Sequence, residues 1–146
     1  MKTIEQDTVY AFLFLLAIFF SSCEKENKTE LDILRSKAWK IGIINKNVES
    51  NPRGRISYHP FLECEKDDSY IFLKNGLLKV DHGSERGSND HAQGKEMEYS
   101  YDKNTNQLVI DGVEYQVLDM TETQVKYCAP LPPAATGYDW IIYILQ

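Results

Sequence analysis

The sequence is poor in the residues that usually carry chemistry. Cysteine and histidine each occur three times and tryptophan twice in 146 residues. No acid–base pair stands out, and no cysteine has the His-Asn/Asp company of a nucleophile. Nothing therefore points to an enzyme. Basic residues form no run longer than two, and the formal net charge is −6. Phosphate contacts need clustered Lys and Arg, so the composition argues against a nucleic-acid partner. No apolar run approaches the roughly 20 residues that a bilayer-spanning helix requires. What remains, 42% hydrophobic and 26% charged, has the make-up of one ordinary globular domain.

The most informative stretch lies at the start. Val9 to Phe20 is an uncharged apolar run of 12 residues. That length suits the apolar region of a signal peptide. It ends in Phe20-Ser21-Ser22-Cys23. Small residues immediately before a cysteine resemble the lipobox of bacterial lipoproteins. That resemblance implies a leader at 1–22, removed after Cys23 has received a diacylglyceryl group. Two or more acyl chains hold a protein stably, at about 0.8 kcal/mol per buried CH₂. Phe20 stands where the pattern usually has Leu, and Lys2 is offset by Glu5 and Asp7. Residues 23–30 then read as the lipidated cysteine and a polar tether, with no apolar residue from Glu24 to Thr29.

From residue 31 onward the pattern is hairpins. Glu30 to Ser36 has room for one or two helical turns, with Leu31 and Leu34 on one face. Trp39, Ile41 and Ile43 alternate with Lys40 and Gly42, as on a first strand. Tyr70–Leu73 and Leu77–Val80 flank Lys74-Asn75-Gly76, a strong hairpin signal that suggests a type I′ turn. Met97, Tyr99 and Tyr101 alternate before a polar turn at 102–106 and a strand at 107–110. Asp111-Gly112 leads into Val113, Tyr115 and Val117, and the turn at 119–123 leads into Val125 and Tyr127. Residues 137–145 form the last strand, apolar on both faces. About eight strands joined by short turns make a meander, which can remove its edges by closing into an up-and-down barrel. Strand order then places the loops 47–67, 82–94 and 129–136 at one mouth.

The string Trp39-Lys40-Ile41, the segment Phe61-Leu62-Glu63-Cys64-Glu65-Lys66-Asp67-Asp68, and the following Tyr70-Ile71-Phe72 and Asn75-Gly76 together resemble the lipocalin-like domains of Gram-negative bacterial lipoproteins. The resemblance covers roughly residues 31–128. Lys37 replaces a glycine common in that family, and the 82–94 loop lacks the second cysteine that relatives often carry. The resemblance implies an all-β domain over 31–146: an eight-stranded antiparallel up-and-down barrel after a short N-terminal helix. It implies no shared activity and no cofactor.

Candidate sites follow from that frame. Phe72, Tyr99, Tyr101, Tyr115, Tyr127 and Trp140 lie on faces that can point inward and line a ligand pocket. Trp39, near the closed end, reads as core. Cys64 and Cys128 both fall near the loop-rich mouth. A bridge between them would close about 65 residues and be worth roughly 4 kcal/mol; two free thiols are the other reading. His82 and His91, with Asp81, Glu85 and Asp90, contain zinc-ligand types but no tight spacing, so a solvated loop is the better reading. Asp102, Asn104 and Asn106 imitate a calcium loop, but Gln107 and Val113 stand where Gly and Glu are needed. Pro130, Pro132 and Pro133 make a stiff rim. The expectation is an outer-membrane lipid-anchored protein, periplasmic or surface-exposed, holding a small apolar ligand. The alternative is a packed barrel that contacts another envelope protein.

Overall fold

The computed structural model describes residues 28–84 and 94–146. The leader, Cys23, Glu85, Asp90 and His91 lie outside the described residues. Helix α1 (Glu30–Leu34) starts where Thr29 and Asp32 cap each other: Asp32 N donates to the Thr29 hydroxyl, and Thr29 N donates to the Asp32 carboxylate. The hydrogen bonds from Thr29 hold the Asp32 carboxyl below its ordinary range. Leu34 is fully buried, with Leu31 and Ile33 packed beside it. The helix ends almost at once because Trp39 captures its last turn. Trp39 is fully buried, and its indole N–H donates to Leu34 O at 2.8 Å.

Eight strands follow: β1 (Ile56–Tyr58), β2 (Ser69–Phe72), β3 (Leu77–Asp81), β4 (Lys95–Asp102), β5 (Gln107–Ile110), β6 (Val113–Thr121), β7 (Gln124–Pro130) and β8 (Trp140–Leu145). A short helix α2 (Pro133–Thr136) joins β7 to β8 and ends at Gly137, whose φ is +78°. All eight strands form one sheet in the order β1-β8-β7-β6-β5-β4-β3-β2. The all-β reading holds. From β2 to β8 the sheet is an antiparallel meander, but β1 pairs with β8 in parallel, so the sheet is mixed.

The departure from a purely antiparallel sheet has a physical cause. The expected first strand at 39–43 shrinks to two bridges, Trp39 with Tyr70 and Ile41 with Leu145. Trp39 and Tyr70 exchange both backbone hydrogen bonds, as do Lys40 and Gln146. This short segment therefore touches both β2 and β8. Gly42 allows the close approach, since a Cβ there would meet Ile144 Cγ2 at 2.7 Å. Only the end of β8 is used in this way. Its first half, Trp140–Ile142, is taken by β1. Between the two contacts the chain leaves the sheet edge, with Ile43 exposed, and crosses the outer face of β7.

Turn chemistry accounts for the hairpins, with one change. Asp111 and Gly112 both have positive φ, +51° and +77°, as a type I′ turn needs. At Asn75-Gly76 only Gly76 does, at +82°, and Gly76 N donates to Leu73 O. That is a type I turn closed by a left-handed glycine rather than the expected type I′ turn. A register shift between Val117 and Asp119 turns Asp119 outward and Met120 inward.

Two apolar clusters result. The inner one runs from Leu34 and Trp39 through Phe72, Leu78, Leu108 and Val125. The outer one joins Cys128, Ile142 and Ile144 to Ile56, Leu118 and Trp140. Trp140 thus faces outward, not into the pocket: its indole N–H donates to Arg53 O at 3.0 Å. The 47–67 segment also departs from the expected mouth. Its first part lies on the outer face, where Asn47 and Asn51 hold Lys126.

Candidate functional site

The inner face of the sheet lines a cavity of about 190 Å³ that is partly open to solvent. Alternation along the strands sets its walls, because every second residue points the same way. Tyr70 on β2, Leu78 on β3, Met97 on β4, Ile110 on β5, Tyr115 on β6, Tyr127 on β7 and Tyr143 on β8 all line it. Ile41 and Gly42 on one side, and Tyr58 and His59 on the other, flank β8 at its edge. No Asp, Glu, Lys or Arg is among the lining residues.

The aromatic rings form a connected group. Tyr127 and Tyr143 stack with centroids 5.2 Å apart and planes 4° from parallel. Tyr115 meets Tyr127 edge-on at 5.2 Å and Tyr143 edge-on at 5.4 Å. His59, exposed at the rim, stacks on Tyr143 at 4.5 Å. Offset-stacked and edge-to-face pairs are the favoured aromatic geometries, so the rings support one another.

Each hydroxyl in this group is unusual. Among the described residues, the hydroxyls of Tyr70, Tyr115, Tyr127 and Tyr143 have no hydrogen-bond partner. None of the four is sealed from solvent, so each is open to water or a guest in the cavity. Burial pushes the Tyr70 hydroxyl up to about 12, with Asp68 and Glu65 adding to the effect. Burial likewise raises Tyr115, Tyr127 and Tyr143, so all four stay protonated at neutral pH. The cavity is therefore a neutral aromatic box with several free O–H groups.

Of the six residues expected to line a pocket, Tyr115 and Tyr127 do so. Phe72 and Tyr99 are core, packed edge-to-face at 5.0 Å. The Tyr99 hydroxyl donates to Leu73 O and accepts from Arg35 Nε, each at 2.7 Å. Tyr101 lies toward α1, and its hydroxyl donates to Glu30 at 2.7 Å. Burial, then that hydrogen bond, raises its pKa. Trp140 is on the opposite face. Sequence reasoning misses Tyr143, because a strand apolar on both sides gives no inward parity, and misses Tyr70, which reads only as part of its strand.

The other candidates resolve into structure. Cys64 and Cys128 are both free thiols, so the bridge between them is not formed. Cys128 is buried in the outer cluster, and burial pushes its thiol up. Cys64 sits in a single 3₁₀ turn, Glu63–Glu65. His82 Nδ1 lies 3.0 Å from the buried Asp68 carboxylate. Asp81 pairs with Lys79 at 3.8 Å. Asn104 N donates to Asp102 at 2.8 Å and Asn106 takes a φ of +52°, the geometry of a hairpin turn. Pro132 precedes α2, with Pro133 at its first turn. Among the described residues no helix is long and apolar enough to cross a membrane. Comparison with family models, with curated proteins and with solved structures finds no match in any of the three.

Proposed function

We propose that this chain is a lipid-anchored, lipocalin-like binding protein of the bacterial cell envelope, holding one small ligand inside a closed barrel. The single observation that carries the reading is the inner cavity lined by tyrosines whose hydroxyls lack protein partners. Hydroxyls that open into a cavity are placed to hydrogen-bond a guest. Barrel closure is supported by the bridges of residues 39–42 to β2 on one side and β8 on the other. The anchor is supported by Phe20-Ser21-Ser22-Cys23 after an apolar run. It would place the domain at the outer membrane, on the periplasmic face or the cell surface. The role is binding and not catalysis.

Size limits the ligand. Drug-sized ligands occupy pockets of roughly 300 Å³ or more, whereas a cavity of about 150 Å³ admits benzene. At about 190 Å³ the cavity suits one ring or a small fused system, not a lipid tail. The same number favours a second reading, a packed barrel that works through its loops on another envelope protein.

Native mass spectrometry of the full chain, extracted from the envelope of an expressing bacterium, separates the two. The binding reading predicts a small adduct that disappears on denaturation, and a chain beginning at an acylated Cys23. A chain with acylated Cys23 but no adduct, even when freshly extracted, favours the packed barrel. An unacylated chain that keeps residues 1–22 removes the envelope assignment.

A further inference from the structure

The chemistry of the cavity wall narrows what the box accepts. Four hydroxyls (Tyr70, Tyr115, Tyr127 and Tyr143) lack protein partners among the described residues, and the lining holds no carboxylate, ammonium or guanidinium. A charged ligand would leave water without meeting an opposite charge, which is strongly unfavourable. A purely apolar ligand would displace water from the hydroxyls and leave them unpaired. A neutral ring that carries an oxygen answers both conditions: its apolar body suits a cavity without charges, and its oxygen accepts from, or donates to, the phenols. The thioether of Met97 offers a further soft, adaptable wall. A quaternary ammonium, the usual guest of aromatic boxes, needs open ring faces. Here the faces of Tyr127 and Tyr143 are turned to each other, and His59 lies against Tyr143.

Resting on the binding reading above, we infer that the ligand is an uncharged, one- or two-ring aromatic compound bearing a hydroxyl or carbonyl oxygen, held by the phenols of Tyr115, Tyr127 and Tyr143.

The test is an NMR titration of the purified full chain. The Met97 methyl serves as the reporter inside the cavity, easily assigned because the chain has three methionines. Four probes are compared: p-cresol, its apolar isostere p-xylene, benzoate and tetramethylammonium. The inference predicts that p-cresol shifts the Met97 methyl and binds about tenfold tighter than p-xylene, as one net hydrogen bond allows. Benzoate and tetramethylammonium leave the resonance unmoved. Tyr127→Phe and Tyr143→Phe keep the rings and remove the oxygens, so they abolish the p-cresol advantage while leaving p-xylene affinity unchanged. Equal binding of p-cresol and p-xylene overturns the oxygen-bearing class but leaves a binding cavity. Preferred binding of benzoate or tetramethylammonium overturns the neutral class in the same way. If no probe moves Met97, the binding reading itself fails.

Discussion

Strand β7 carries two opposed environments on alternate residues. Inward, Tyr127 stacks on Tyr143 and its hydroxyl has no partner among the described residues. Outward, Lys126 is fully buried, and its ammonium is held by Asn47 O, Asn45 Oδ1 and Asn51 Oδ1. Beside it, Gln124 donates to Asp119 at 2.7 Å and accepts from Lys46 N at 2.9 Å. The outer face is a polar network whose members satisfy one another, and it pins the 45–51 segment to the sheet. The inner face leaves tyrosine hydroxyls without protein partners and open to the cavity. A closed network stabilises a fold; an open one has capacity for a guest.

The comparison breaks first at Lys126. Lys126→Ala deletes a buried side chain and strips three acceptors of their donor. It should lower stability by about 2–4 kcal/mol in urea unfolding and release the 45–51 segment to faster hydrogen exchange. Next is Cys128→Ser, which puts a hydroxyl among Ile142 and Ile144. The cost should be about 1–3 kcal/mol by the same measurement.

Alkaline pH separates the two faces by sign. Tyr70 rises from its ordinary 10.0 to about 12 in the folded chain. The unfolded chain therefore loses that proton first, and the stabilisation is complete below pH 10 and lost as pH climbs through 12. Tyr115, Tyr127 and Tyr143 act in the same direction. Lys126 acts oppositely: burial lowers its pKa below 10.5, so the unfolded chain holds the extra proton there and stability rises with pH. Urea midpoints across the alkaline range should fall for the parent chain and fall more slowly for Tyr127→Phe. The smallest effect is Tyr127→Phe at neutral pH. With no hydrogen bond to lose, stability should change by less than about 0.5 kcal/mol. A large loss there would mean that the inner hydroxyl is held as firmly as the outer ammonium.

What was legible in the chain was local. Asp111-Gly112, the Tyr99/Tyr101 alternation and the polar turn at 102–106 name their hairpins because neighbouring residues decide them. What was hidden depends on distant partners. Residues 39–43 alternate like a strand, yet β8 has room for only part of them because Ile56–Tyr58 competes for its edge. That strand has three residues between Gly54 and Pro60, too few for a periodic signal. The pocket was half legible for the same reason. Tyr115 and Tyr127 sit on strands with a clear inner face, whereas β8 is apolar on both sides. Only the segment that covers its outer face decides that Trp140 points out and Tyr143 points in.

The most direct measurement is a high-resolution crystal structure of the full chain purified from cells without added aromatic compounds. Planar, non-water density within hydrogen-bond distance of the Tyr115, Tyr127 and Tyr143 hydroxyls is the predicted result. A cavity closed by its own side chains, or one in which ordered waters satisfy all three hydroxyls, would contradict the account.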